Sequence, residues 1–239
     1  QQKCYFADGR TLSFSDGNSR DHFRMGLTAY LAMRFPNVSI PNMERAGGFH
    51  RDSCYRFMGI YRDWIWTKAY LEKLESGEIQ DKDSTVEAGQ IVLPMAQWSI
   101  SNAQNGAACA FKGGDNDEPH NHNDVGHFLY VKGEDLLLTD LGSGEYTRQY
   151  FQPETRYTFF GNSSYGHSVP VINGEAQLPG KEYAADHFEA DGKGHAVVSF
   201  AGAYEKGLIS SITRSISFDM ENGDLTVEDT FVPSDKTVS

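Results

Sequence analysis

The densest run of chemically capable side chains is GGDNDEPHNHNDVGHF, Gly113 to Phe128. Its Gly and Asp content predicts a loop that leads into a strand from His127 to Lys132. His120 and His122 are separated by one residue, and in extended backbone side chains two apart project to the same side. Two imidazoles on one face can share a metal ion, or one can bind metal while the other faces substrate. A solvated His-rich loop would carry the same pair, so the surroundings decide. Asp140 ends the apolar run DLLLTD just before Gly142 and Gly144. A carboxylate at the end of a buried strand must be hydrogen-bonded, paired or metal-bound, because burying an isolated charge is costly. His167 opens the strand-like HSVPVI after the small polar run GNSSYG. Two His and one Asp from neighbouring strands form an N/O set that suits zinc, with three protein ligands and a fourth position open.

Several other residues have both a chemical and a structural reading. Asn121, Asn123 and Asp124 interleave the His pair. Asp124 can orient an imidazole, but all three can equally fold the loop through Asx turns. His127 is expected on the face opposite Phe128, in a structural or surface role. Arg156 and Tyr157 precede the His167 segment. Arg grips carboxylate or sulfate bidentately, although an Arg within an aromatic run also packs against a core. Trp64, Trp66 and Trp98 could stack on sugar rings, with core packing as the default. His22, His50, His187 and His195 have no partner cluster, and the sequons at Asn37 and Asn162 matter only in a secretory context.

The elements that must position these groups change character near residue 85. From Ser19 to Phe35, Phe23, Leu27, Tyr30, Leu31 and Arg34 recur at helical spacing; Asp16 or Ser19 can cap the start, and Pro36 ends the run. Arg51 to Leu74 reads as a second helix, with Tyr55, Met58, Ile60, Tyr61, Trp64, Ile65 and Leu71 on a broad apolar face. Two such helices do not make a self-sufficient core and resemble the last members of a helical array. After the charged connector Glu75–Gln90 the pattern is strand-like: Ile91–Pro94, Trp98–Ser101, Ala107–Lys112, His127–Lys132, Asp135–Asp140, Ser168–Ile172, Ala196–Phe200, Ile209–Phe218 and Leu225–Phe231. Asn222-Gly223 and Lys132-Gly133 mark hairpin turns. Many strands, short turns and no alternating helices predict a mainly β fold, a large antiparallel sandwich preceded by a few α-helices. The expected domains are 1–85 and 86–239.

Composition bounds the partners. The 239 residues include 33 acidic and 21 basic side chains, a net charge of −12, which disfavours nucleic acid. An anionic sugar remains compatible, since a local basic cleft can coexist with an acidic exterior. Cys4, Cys54 and Cys109 form no CxxC pair, against a disulfide framework or a thiolate zinc site. No apolar run approaches a membrane span, and no signal peptide is present. Gln1 and Ser239 look like truncation or processing boundaries, so the chain is expected to be a piece of a longer protein. Its oligomeric state is not legible.

PHNHNDVGHFLYVKGEDLLLTDLGSGEY, Pro119–Tyr146, and RYTFFGNSSYGHSVPVING, Arg156–Gly174, resemble the heparinase II/III-like polysaccharide lyases. SITRSISFDMENGDLTVEDTF, Ser211–Phe231, continues the likeness more weakly, and DGRTLSFSDGNSRDHFRMGLTAYLAMRFPN looks like the tail of that family's helical toroid. The resemblance implies an α/α toroid followed by a β-sandwich, with the cleft between them. It implies His122, Asp140 and His167 as ligands of one divalent metal, zinc by preference, and His120 as the catalytic residue. Arg156 and Asn121 are the substrate-binding candidates. Ser168 stands where many relatives have Asn. A Tyr and a further His or Asn are implied upstream of the chain's start, so the chain alone is expected to show little activity. The implied reaction is β-elimination on a uronic-acid-containing glycosaminoglycan or alginate, in the periplasm or outside the cell. The alternatives are a metal-stabilised carbohydrate-binding or structural domain and a metal-dependent glycan hydrolase.

Overall fold

The computed structural model describes residues 4, 6, 11–17, 25–38, 40, 57–80, 87–133 and 135–235. The chain divides into two compact units, Gln1–Thr11 with Arg20–Val86, and Leu12–Ser19 with Glu87–Ser239. The boundary near residue 86 thus has one exception: the short stretch Leu12–Ser19 packs with the β unit.

In the first unit, α1 (Met25–Ala32) and α2 (Phe57–Glu75) pack around Ala29, Ile40 and Tyr70. The proposed starts of both helices lie outside the described residues. Among the described residues no helix is long and apolar enough to cross a membrane.

The second unit is all antiparallel. Strands β1 (Gly89–Leu93), β2 (Trp98–Asn102), β3 (Ala108–Lys112), β5 (Phe128–Lys132) and β6 (Asp135–Leu138) form a five-stranded sheet in the order β1-β2-β3-β5-β6. A four-stranded sheet has the order β11-β10-β9-β8, built from β8 (His187–Ala190), β9 (His195–Ser199), β10 (Ile209–Phe218) and β11 (Leu225–Pro233). Two short strands, β4 (Asp115–Asn116) and β7 (Gly180–Ala184), pair separately. Alternation in β3 sends Cys109 and Phe111 into the core, where they join Val198, Ile212, Ile216 and Phe218 from the other sheet. Asn222-Gly223 turns β10 into β11, with Gly223 at φ 74° as the hairpin requires.

The opposite face of β3 is buried as well. Trp98 and Lys112 are cross-strand partners there, and Phe14 covers them at 5.1 Å from the Trp98 ring. Lys112 is buried against Asp124, Nζ to Oδ1 at 2.7 Å. Burial works against both charges, yet each sustains the other, holding Asp124 below its usual range and Lys112 above its own.

One expected strand is absent. Ser168–Ile172 starts in a turn, bends at Val169 and contributes only a bridge from Ile172 to Glu175. Pro170 has no N–H to give a ladder, and the N–H of Ser168 is taken by the His127 ring. His167 therefore follows a 3₁₀ turn, Ser164–Gly166, and opens a loop.

Candidate metal centre and active site

The His-containing loop runs between β4 and β5, and a buried polar frame holds it. Gln177 grips Val125 twice, Oε1 accepting its N–H at 2.9 Å and Nε2 donating to its carbonyl at 2.8 Å. Asn123 donates to the Gln177 carbonyl at 3.1 Å and receives a hydrogen bond on its own carbonyl from Ser164 Oγ at 2.8 Å. Gly126, at φ 87°, turns the chain between Asp124 and His127; a Cβ there would meet the Phe200 ring at 3.1 Å. Asn162 is fully buried, so its sequon is closed in the folded chain.

This frame brings His122, Asp140 and His167 together, one ligand atom from each lying within 4.8 Å of the others. His122 Nδ1 is 3.7 Å from Asp140 Oδ1, and His167 Nδ1 is 3.5 Å from Asp140 Oδ2. Ligands about 2.1 Å from a tetrahedral zinc stand roughly 3.4 Å apart, so these separations fit such an ion. The protonation pattern fits too. His167 Nε2 donates to the Gly161 carbonyl at 2.9 Å, and His122 Nε2 faces Asp16 Oδ1 at 2.9 Å. Each neutral ring then carries its proton on Nε2 and a lone pair on Nδ1. Both Nδ1 atoms are buried without a hydrogen-bond partner. Outer hydrogen bonds of this kind are how proteins orient imidazole ligands.

Asp140 is fixed by the N–H groups of Gly142 on Oδ1 at 2.8 Å and Ser15 on Oδ2 at 3.1 Å. Burial, reinforced by the charge on Asp124, pushes its carboxyl up to about 8. Burial pushes His167 down to about 4. The bare cluster is therefore short of positive charge, which a divalent cation would supply.

His127 is the neighbour the sequence undersold. It is fully buried, and its Nε2 lies 3.8 Å from Asp140 Oδ2. Its Nδ1 accepts the Ser168 N–H at 3.0 Å, so the proton of the neutral ring sits on Nε2. That nitrogen is buried without a hydrogen-bond partner and carries a proton, so His127 stands beside the three candidate ligands and offers no lone pair to them. Burial, together with the His167 charge, lowers its pKa well below the usual imidazole value.

Beside the triad stands an exposed group. His120 adopts φ 61°, rare for a residue with a side chain, and its ring is half exposed. Its Nδ1 is 2.7 Å from Asp16 Oδ2, and the Tyr146 hydroxyl lies 3.1 Å from the same oxygen and 3.4 Å from Nδ1. Tyr146 and Phe151 flank the His120 ring at 6.1 Å each. Asp16, expected as a possible helix cap, is instead the hub, also meeting the Tyr150 hydroxyl and Arg156 Nη2. Burial opposes its charge, but hydrogen bonds from His122, Tyr150 and His120 hold the carboxyl well below its usual range.

Arg156, expected against substrate, is buried and committed within the protein. Nε and Nη2 donate to the Asn121 carbonyl at 3.1 and 2.9 Å, and Nη1 donates to the Tyr150 carbonyl at 3.2 Å. Asn121 is equally buried, its amide directed at Asn123 Oδ1 at 3.4 Å. Both act here as supports of the His loop. Of the groups sequence reasoning passed over, only Tyr146 carried a signal, as the end of the stretch that resembles the lyases. Asp16 carried none, lying 104 residues before His120.

No protein-family model matches the chain, and no curated protein matches it. Solved structures do. Heparan sulfate lyase HepC from Pedobacter heparinus aligns over 97% of this chain at 16% identity, with a TM-score of 0.56. A mutant of the same enzyme gives the same values. The chain has a heparinase-like fold. A heparinase III, the BT4657 gene product, aligns over 95% at 13% identity with a TM-score of 0.54. The chain spans 31% of the HepC chain and 30% of the heparinase III chain.

Proposed function

We propose that this chain carries part of the active centre of a polysaccharide lyase that cleaves uronic-acid-containing acidic polysaccharide by β-elimination. The observation that supports this most directly is the exposed, backbone-strained His120 paired with Tyr146, next to a buried N/N/O donor set with two orphaned Nδ1 atoms. In the elimination a base takes the C5 proton of the uronate and the C5–H electrons become the C4–C5 double bond. The C4–O bond then breaks toward the leaving oxygen, which receives a proton from an acid. His120 Nε2 is the proposed base and the Tyr146 hydroxyl the proposed acid. His122, Asp140 and His167 would hold a divalent cation, with zinc the preferred ion. When bound, it supplies fixed positive charge that organises the His loop beside a polyanionic substrate.

HepC is by name a heparan sulfate lyase; for this chain a uronate-bearing glycosaminoglycan or alginate is the proposed substrate class. A polymer of that kind does not cross membranes unaided, so a periplasmic or secreted location follows from the proposal. The test is to offer the protein heparan sulfate, hyaluronan and alginate and follow the absorbance of unsaturated uronate. We expect a small rise in absorbance on at least one polymer, little activity being expected of this chain alone. His120→Ala should slow the reaction about 10²- to 10⁴-fold while keeping the cation, and His167→Ala should lose the cation. New reducing ends without absorbance would replace the lyase reading with hydrolysis. Binding without any cleavage would replace it with a metal-stabilised carbohydrate-binding domain.

A further inference from the structure

We propose that Asp16 is the positioning residue of this centre: a single carboxylate that sets the tautomers of both the metal-facing His122 and the base His120. The inference rests on the reading that His122 is a ligand and His120 the base. A carboxylate can only accept hydrogen bonds, so whichever ring nitrogen faces it carries the proton. Asp16 Oδ1 faces Nε2 of His122 at 2.9 Å, whereas Oδ2 faces Nδ1 of His120 at 2.7 Å. One group thereby imposes opposite tautomers on two histidines two residues apart. His122 is left with its lone pair on Nδ1, within 3.7 Å of Asp140. His120 is left with its lone pair on Nε2, free to take a proton. Without an acceptor between them, a neutral imidazole exchanges between tautomers, and each ring would spend part of its time in the form that cannot serve.

The surroundings suit that assignment better than a simple ion pair. Arg156 Nη2 is 3.3 Å from Asp16, farther than either imidazole. The Tyr146 and Tyr150 hydroxyls also donate to the carboxylate and fix its plane. The preceding residue, Ser15, at φ 60°, gives its N–H to Asp140 Oδ2 at 3.1 Å. The Ser15–Asp16 turn therefore touches a ligand directly through its backbone and a second one through its side chain.

Nitrogen-15 NMR of the imidazoles in the cation-free protein reads the tautomers directly, at about pH 8, above the ordinary imidazole range. The expected result is Nε2–H on His122 and Nδ1–H on His120; either ring in the opposite form overturns the proposal. In Asp16→Asn, which keeps the shape but supplies one acceptor and one donor, His120 should shift toward a mixture. Zinc affinity, read by chelator competition, should then fall about 10- to 100-fold. If Asp16→Asn retains the wild-type tautomers and zinc affinity, Asp16 does not position the centre. If the wild-type protein binds no zinc, the ligand reading fails, and the His120 tautomer still decides the role of Asp16.

Discussion

At the scale of single residues, the centre is a problem of charge in a dry place. Asp140 is surrounded by buried imidazoles, and without a cation its carboxyl is pushed up to about 8 from an ordinary 3.8. A folded-state value above the unfolded one means the folded protein holds that proton more tightly. The stability it contributes is fully present below about 3.8 and is lost as pH rises through about 8. A bound cation removes the dependence by taking the proton's place. The expected outcome is that chelator-treated and zinc-loaded protein differ little in Tm near pH 5 and increasingly toward about pH 9, checked by paired thermal melts. His122, Asp140 and His167, which the fold brings together, stood out in the sequence because their types and spacing are unusual. Asp16 and His127 could not, since a lone acid in a polar stretch and one more His in a His-rich loop look ordinary until the fold surrounds them.

At the scale of elements, what matters is how a loop without regular structure is kept still. Gln177 substitutes for a β-ladder by satisfying both backbone groups of Val125. Gln177→Ala would strand a buried N–H and C=O, and should cost about 2–4 kcal/mol, read from the denaturant midpoint. Zinc affinity should fall with it, as the His loop loses its anchor. The long strands β10 and β11 were legible from their alternation and the Asn-Gly turn. Strands β7 and β8 were missed because KEYAADHFEA is charged and exposed, lacking the apolar alternation that marks a strand. Ser168–Ile172 was misread for the opposite reason: its valines suggest a ladder, but Pro170 and the His127 contact consume the backbone positions a ladder needs.

Across the whole molecule, the described residues of the two units differ in the apolar clusters they bury. The sandwich core joins both sheets, from Phe111 and Phe128 to Ile212 and Phe218. Among the described residues, the helical unit's buried cluster is Ala29, Ile40 and Tyr70, and Phe57, Met58 and Trp64 of α2 are exposed. Hydrogen exchange should therefore be faster in α2 than in β10, and adding zinc should slow exchange around His122 without protecting α2. Equal protection of the two elements would show that they unfold as one body. The change of periodicity near residue 85 gave no sign that Leu12–Ser19 packs with the β unit, because that depends on contacts such as Asp16 with His120, distant in sequence.

That early segment also sets a clock on synthesis. Asp16 leaves the ribosome 104 residues before His120, with the helical unit's Arg20–Val86 made in between. At about 5–20 residues per second, roughly 5–20 s separate the two halves of the hub. During that interval the growing chain has the carboxylate but neither of the imidazoles that face it. Assembly of the hub is thus deferred until β1 to β4 and the His loop that follows them have been made.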